Sequence, residues 1–254
     1  MKKLLIPFLT AGYPEKAWFP ALIRAMDENG ADTIEIGIPF SDPIADGPTI
    51  QAASQHALDR GVTTQWVLET TRSFRDDIKS DLIFFSYCNP LRSLGADWPA
   101  AMGRVADAGF QGILVPDLAL EEATTEVIPA ARDRGLHYIP LIAPTTTEAR
   151  LALIAPFTTA FAYGVSVTGV TGARKGVSTG LEGYLARVRP HFKRFVVGFG
   201  ISTPEDARAI SQIADGVVIG SALIRLLEGV TNQDEAVARV AGFIGSIRQA
   251  LDNP

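Results

Sequence analysis

Hydrophobic residues along the chain fall into two alternating patterns. Eight short runs, rich in β-branched and aromatic residues, predict strands: LLIPFL (4–9), DTIEIGI (32–38), LIFFSY (82–87), GILVPD (112–117), YIPLIA (138–143), AFAYGVS (160–166), FVVGF (195–199) and GVVIG (216–220). Between them lie longer amphipathic stretches, among them AWFPALIRAMDENG (17–30), WVLETTRSFRDD (66–77) and EEATTEVIPAARDRG (121–135). The last closes on Gly135, a helix C-terminal signal. Pro20 and Pro129 fall inside two of these patterns and blur their boundaries. Strands alternating with helices imply parallel pairing through right-handed crossovers. Eight such units in 254 residues predict an α/β fold, a (β/α)8 barrel formed by residues 1–254 as one domain. A doubly wound sheet is the competing architecture. It normally carries a G-x-G-x-x-G after an early strand, and this sequence has none. No linker or shift in composition divides the chain.

Composition narrows the possible functions. Hydrophobic residues make up 47% of the chain, and the formal net charge is −5 with no basic cluster, which argues against nucleic acid as a partner. The single cysteine, Cys88, rules out an internal disulfide and a cysteine-based metal site. His56, His137 and His191 are scattered, a pattern that favours solvated or packing roles over metal binding. The opening MKKLLIPFLTAGYP is interrupted by Pro7 and Thr10 and reads as a strand rather than a leader. No stretch approaches the roughly 18 apolar residues of a membrane span.

In a barrel of this kind, chemistry sits at the C-terminal ends of the strands, and a phosphate is often held after the last two. Glycines stand at those places: Gly198 and Gly200 end the seventh run, and Gly220-Ser221 ends the eighth before a helix. A further Gly-rich loop, TGVTGARKG (168–176), follows the sixth run and suits a lid. Any one of these clusters is compatible with ordinary turns. Three of them after the last three strands point to a phosphate cup of backbone N–H groups.

The stretch TIEIGIPFSDPIADGPTI (33–50) raises a different question. By strand alternation Ile34, Ile36 and Ile38 face the helices, which turns Thr33, Glu35 and Gly37 inward. An inward carboxyl is expected to have a raised pKa and to act as acid or base. A Glu satisfied by an interior Lys, Arg or Tyr is the alternative, and no strand offers an interior Lys or Arg. Asp46 precedes Gly47-Pro48, where a helix is expected to start, so a helix cap competes with a catalytic role there. For Asp42, in S-D-P, a turn-forming role competes equally.

The run EIGIPFSDPIADGPTIQ (35–51) resembles the signature of the tryptophan synthase alpha chain family. PFLTAGYP (7–14), SYCNPL (86–91), VPDL (115–118), GVTGAR (169–174) and GFGISTPEDA (198–207) extend the resemblance in order over nearly the whole chain. It implies a TIM barrel that cleaves indole-3-glycerol phosphate to indole and glyceraldehyde 3-phosphate. It further implies a cytoplasmic enzyme of tryptophan biosynthesis, working as half of an α2β2 complex. Pyridoxal phosphate is then expected only in the beta chain, with no cofactor or metal in this one. Carried over by residue, the catalytic pair is Glu35 and Asp46, and the phosphate ligands are Gly172, Gly200, Gly220 and Ser221. The indole pocket is Phe8, Ile50, Phe85, Leu114, Tyr163 and Thr171, with Phe199 beside the phosphate. Asp42, Asn89 and Asp117 fall near the face that meets the beta chain.

This sequence departs from the family pattern in a few places. Val167 stands where some relatives have arginine in the lid, Ala119 where proline is common, and Cys88 where tyrosine or alanine is common. The chain begins almost at its first strand, where many relatives carry an extra helix. The implied reaction is a retro-aldol cleavage in which Glu35 handles both proton transfers and Asp46 accepts the indole N–H. A free-standing lyase without a beta partner, and an inactive chain kept to activate one, are the alternative readings.

Overall fold

The computed structural model describes residues 2–165, 179–198 and 200–253. Its strands are β1 (Leu4–Thr10), β2 (Thr33–Gly37), β3 (Asp81–Phe85), β4 (Gly112–Leu114), β5 (His137–Tyr138), β6 (Leu141–Ile142), β7 (Ala162–Val165), β8 (Phe195–Gly198) and β9 (Gly216–Ile219). They form one parallel sheet in the order β5-β4-β3-β2-β1-β9-β8-β7-β6.

Eight strands are expected from the sequence and nine segments are found, because Pro140 interrupts YIPLIA. Proline has no N–H to give to the ladder. The two edge segments, β5 and β6, are therefore consecutive pieces of one barrel strand, separated only by Ile139 and Pro140. The Ile139 N–H donates to the Ile113 carbonyl at 2.9 Å on one side, and the Tyr163 N–H donates to the Pro140 carbonyl at 3.0 Å on the other. The sheet thus closes on itself as a (β/α)8 barrel, and the doubly wound alternative is excluded.

The other differences from expectation also involve prolines. β4 stops at Leu114, short of the predicted 117, just before Val115-Pro116. The 121–135 helix begins at Leu120–Glu122, widens into a π turn over Ala123–Val127 and resumes as Ile128–Asp133. Pro129 lies in the first turn of the last piece. A proline ring collides with the carbonyl four residues back, and the wider turn relieves that clash. Gly135 adopts φ +74°, and Leu136 N–H closes back on the Ala131 carbonyl at 2.9 Å, as a left-handed C-terminal turn requires. Pro20 lies in the first turn of the helix Phe19–Glu28, where its missing N–H leaves no helical bond unmade.

The core has two layers. Ile34, Ile36 and Ile38 join the large layer between sheet and helices. A smaller cluster of Ile6, Ile83, Leu114, Ile139, Phe161, Val196 and Val218 fills the barrel interior. At the N-terminal end of β2, Asp32 is fully engaged. It accepts from the Leu5 N–H at 2.9 Å, Lys2 Nζ at 2.6 Å and Arg248 Nη1 at 3.1 Å. Arg248 belongs to the last helix, Gln233–Asp252, which packs against Phe19–Glu28 beneath that end.

Candidate active site

Glu35 is the third residue of β2, in register with Phe8 on β1 and Ile83 on β3. Both neighbours are bonded through the backbone, so the position of Glu35 is set by two ladders. The residue is 1% exposed, and neither carboxyl oxygen has a hydrogen-bond partner. An ionised carboxylate in such a place loses its hydration without compensation. Burial accordingly raises its pKa from 4.5 to about 8. Among the described residues no Lys, Arg or Tyr bonds to Glu35, so the alternative of a satisfied Glu does not apply there.

The loop after β2 places the second acid. Asp46 N–H closes on the Pro43 carbonyl at 3.0 Å, and Ile44 N–H on the Asp42 carbonyl at 2.9 Å, giving a tightly wound tip. Gln51, on the following helix Pro48–Asp59, donates Nε2 to the Asp46 carbonyl at 2.9 Å. The N-cap of that helix is Gly47, and no side chain caps it, so Asp46 is not a cap. Its carboxylate instead accepts from the Tyr87 hydroxyl at 2.9 Å, and the Tyr87 hydroxyl oxygen in turn accepts the Ala45 N–H at 2.9 Å. Burial raises the Asp46 pKa to about 6, and the Tyr87 bond opposes that rise. Burial thus raises both carboxyls, Glu35 the further, and the Tyr87 donor opposes the rise at Asp46.

Tyr163 is near enough to feel both acids. Burial raises the pKa of its hydroxyl well above the usual phenol range, and the charges of Glu35 and Asp46 raise it further. Phe85, Leu114 and Tyr163 belong to the interior cluster, and Phe8 meets Phe85 edge to face with centroids 5.4 Å apart. Glycines make room for these rings. A Cβ at Gly37 would run into Phe8, and one at Gly198 into the Tyr163 hydroxyl. Gly220 borders the same apolar space, since a Cβ there would lie 3.6 Å from both Ile50 and Phe8. It is also the N-cap of the short helix Ser221–Leu226. Gly200 follows β8 at φ +60°, a conformation that favours glycine.

Of the remaining expected residues, Asp42 and Asn89 are exposed. Asp42 takes a bond from Ser41 Oγ at 3.0 Å. Asp117 is exposed as well, and its carboxylate accepts the Cys88 N–H at 2.8 Å, which ties the loop after β4 to the turn after β3. Val167, Thr171, Gly172, Phe199 and the 168–176 loop lie outside the described residues. Among the described residues, no three His, Cys, Asp or Glu side chains gather as a metal site, and no helix is long and apolar enough to cross a membrane.

Three residues were missed by sequence reasoning. Tyr87 continues the inward alternation of Ile83 and Phe85 one step past the strand, a signal that was available. Ile44, an apolar residue in a polar loop, is 81% exposed. Thr10 is the last residue of β1, opposite Gly37, and its hydroxyl is buried with no partner.

A (β/α)8 barrel that carries a buried, partnerless carboxyl on one of its strands has the build of a barrel enzyme. The model of the tryptophan synthase alpha chain family matches residues 1–252, and the chain belongs to that family. It is 42% identical over 250 residues to the tryptophan synthase alpha chain of Pelobacter propionicus, covering 98% of this chain and 92% of that one. The crystal structure of tryptophan synthase subunit alpha from Legionella pneumophila superposes with a TM-score of 0.88 at 32% identity, covering 99% and 94% of the two chains. A structure of Mycobacterium tuberculosis tryptophan synthase gives 0.87 at 33% identity, covering 98% and 93%. The family's reaction, and the activity of this chain, is the lyase cleavage of indole-3-glycerol phosphate to indole and glyceraldehyde 3-phosphate.

Proposed function

We propose that Glu35 and Asp46 divide the chemistry of this cleavage between them. Cleavage needs a proton on indole C3 and the loss of one from the side-chain hydroxyl that becomes the aldehyde. Glu35, held neutral by burial, gives its proton to C3 and so turns the indole into an indolenine cation. The resulting carboxylate takes the hydroxyl proton as the carbon–carbon bond breaks. The bond electrons neutralise the ring, and Glu35 ends protonated as it began. Asp46 accepts the indole N–H and stabilises the positive charge that develops at the ring nitrogen. The observation that carries this reading is Glu35 itself, a fully buried carboxyl without a partner.

The apolar wall of Phe8, Ile50, Phe85, Leu114 and Tyr163 receives the indole, with Thr171 and Phe199 completing the pocket. The phosphate is held by backbone N–H groups at Gly172, Gly200, Gly220 and Ser221. The proximity of Gly220 to Phe8 and Ile50 supports a phosphate end next to an indole end.

A tryptophan synthase beta chain docks over the strand-end loops in an α2β2 assembly, against Asp42, Asn89 and Asp117. Exposed Ile44 beside exposed Asp42 supports a partner on this face. Pyridoxal phosphate belongs to that partner, this chain carries no cofactor, and the complex works in the cytoplasm. The test is indole release from indole-3-glycerol phosphate by the purified chain, with and without an added beta chain. Slow release accelerated by the beta chain is the expected result. No indole in either case would overturn the assignment, and full activity unaffected by the beta chain would favour a free-standing lyase.

A further inference from the structure

The bond between Tyr87 and Asp46 gives Tyr87 a role that neither the family assignment nor the catalytic pair requires. Tyr87 follows β3 directly, is 3% exposed, and lies against Phe40 with ring centroids 5.3 Å apart. Phe40 is at the root of the same loop that carries Asp46 at its tip. The phenol oxygen makes two bonds to consecutive loop residues, donating to Asp46 Oδ2 and accepting from the Ala45 N–H, each at 2.9 Å. Its own backbone is anchored from the other side, where the next residue, Cys88, gives its N–H to Asp117. Ring and hydroxyl therefore hold both ends of one loop against the barrel wall.

We propose that Tyr87 is a positioning residue for Asp46, holding the carboxylate over the pocket with one oxygen bound and the other left for the substrate. The two-bond geometry fixes the phenol's proton. The oxygen already accepts from Ala45, so its own hydrogen is directed at Asp46, and an ionised carboxylate accepts it more strongly than a neutral acid does. Tyr87 thus selects the charged form of Asp46 as well as its orientation. Asp117 beside Tyr87, and Tyr163 and Glu35 across the mouth, are the titratable groups that face this pair. None of them is a cation, so among the described residues the Tyr87 hydroxyl is the side-chain donor that counters the burial of Asp46. The inference rests on the proposed role of Asp46 and is tested together with it.

The variant is Tyr87→Phe, which keeps the ring against Phe40 and removes one oxygen. The measurement is the pH profile of kcat/KM for indole-3-glycerol phosphate cleavage, compared with wild type, Asp46→Asn and the double variant. In Tyr87→Phe the acid limb is expected to move up by roughly one pH unit, the effect of one hydrogen bond to a charged acceptor. At pH 6 that is a loss of about fivefold or more, and the loss shrinks as the pH rises. On the Asp46→Asn background the same change is expected to cost little further, since the two residues act as a unit. A uniform loss at every pH, with the limb in place, would mean that Tyr87 only packs the loop and would overturn the proposal. Additive losses in the double variant would overturn it too. Full activity in Asp46→Asn would remove the role of Asp46 and this inference with it. An impaired Asp46→Asn beside an unchanged Tyr87→Phe would overturn the inference alone.

Discussion

Asp32 and Glu35 stand three residues apart along the chain and are treated in opposite ways. Asp32, at the N-terminal end, has a backbone N–H, a lysine and an arginine around it. Glu35, in the middle of β2, has no hydrogen-bond partner for either oxygen and sits in an apolar layer. The first arrangement contributes to holding β1, β2 and the last helix together. The second costs folding free energy and leaves a reactive acid. A satisfied carboxylate just before β2 and an unsatisfied one within it are separated by about 10 Å of backbone.

The largest break in this comparison comes from Glu35→Gln. It should lower kcat by roughly 10²–10⁴ while substrate still binds, since an amide can neither give nor take the proton. Steady-state kinetics with a competitive product analogue measures both parts. Near-normal turnover would end the acid–base role. Asp32→Ala should do the reverse, costing about 2–4 kcal/mol in urea unfolding because Arg248 is left with Asp252 alone and the Leu5 N–H loses its acceptor, with kcat per folded molecule nearly unchanged.

A third prediction concerns pH and stability. The folded pKa of Glu35 is about 8 against an ordinary 4.5. Between those values the folded state holds a proton that the unfolded chain has released, so stability falls as pH rises through that window. In wild type this drop should amount to a few kcal/mol, on the order of 1.4 per pH unit, and Glu35→Gln should flatten it. Equal slopes in the two proteins, measured by urea unfolding at pH 5 and pH 8, would contradict the burial argument. The smallest effect is on rate. Activity should need Asp46 ionised and Glu35 protonated, giving a bell in kcat/KM with limbs near about 6 and about 8. A profile still rising above pH 9 would show that Glu35 starts the cycle as a base.

Much of this was legible in the residues. Alternation in TIEIG put Glu35 inside before any coordinates, because one register step would expose three isoleucines to the interior. The eight barrel positions came from the same periodicity. The break in the fifth strand was visible too, as a proline in YIPLIA, and was overlooked because the flanking residues are so strand-like. What could not be read was the pairing of Tyr87 with Asp46. The two are 41 positions apart, on different loops, and only the closed barrel brings them together. Nor could the local sequence decide whether Asp46 caps the helix after it. That depended on the turn at Pro43, which swings the side chain toward Tyr87 and leaves Gly47 at the cap.

The strand order also bears on synthesis. Every pairing in the sheet joins neighbours along the chain except one: Leu4–Pro7 of β1 pairs with Gly216–Ile219 of β9. A chain leaving the ribosome can build β1 through β8 progressively, each strand docking on the one before it. Its first strand meanwhile keeps an open edge until residue 219 has emerged. Closing that gap joins segments more than 200 residues apart, the slowest kind of contact to form. The last helix, which brings Arg248 to Asp32, arrives only after that. The nascent barrel is therefore an open sheet with an unpaired hydrophobic edge for most of its translation. Until it closes, the edge of β1 presents unpaired backbone N–H and C=O groups, the feature that makes an open sheet prone to pair with another chain.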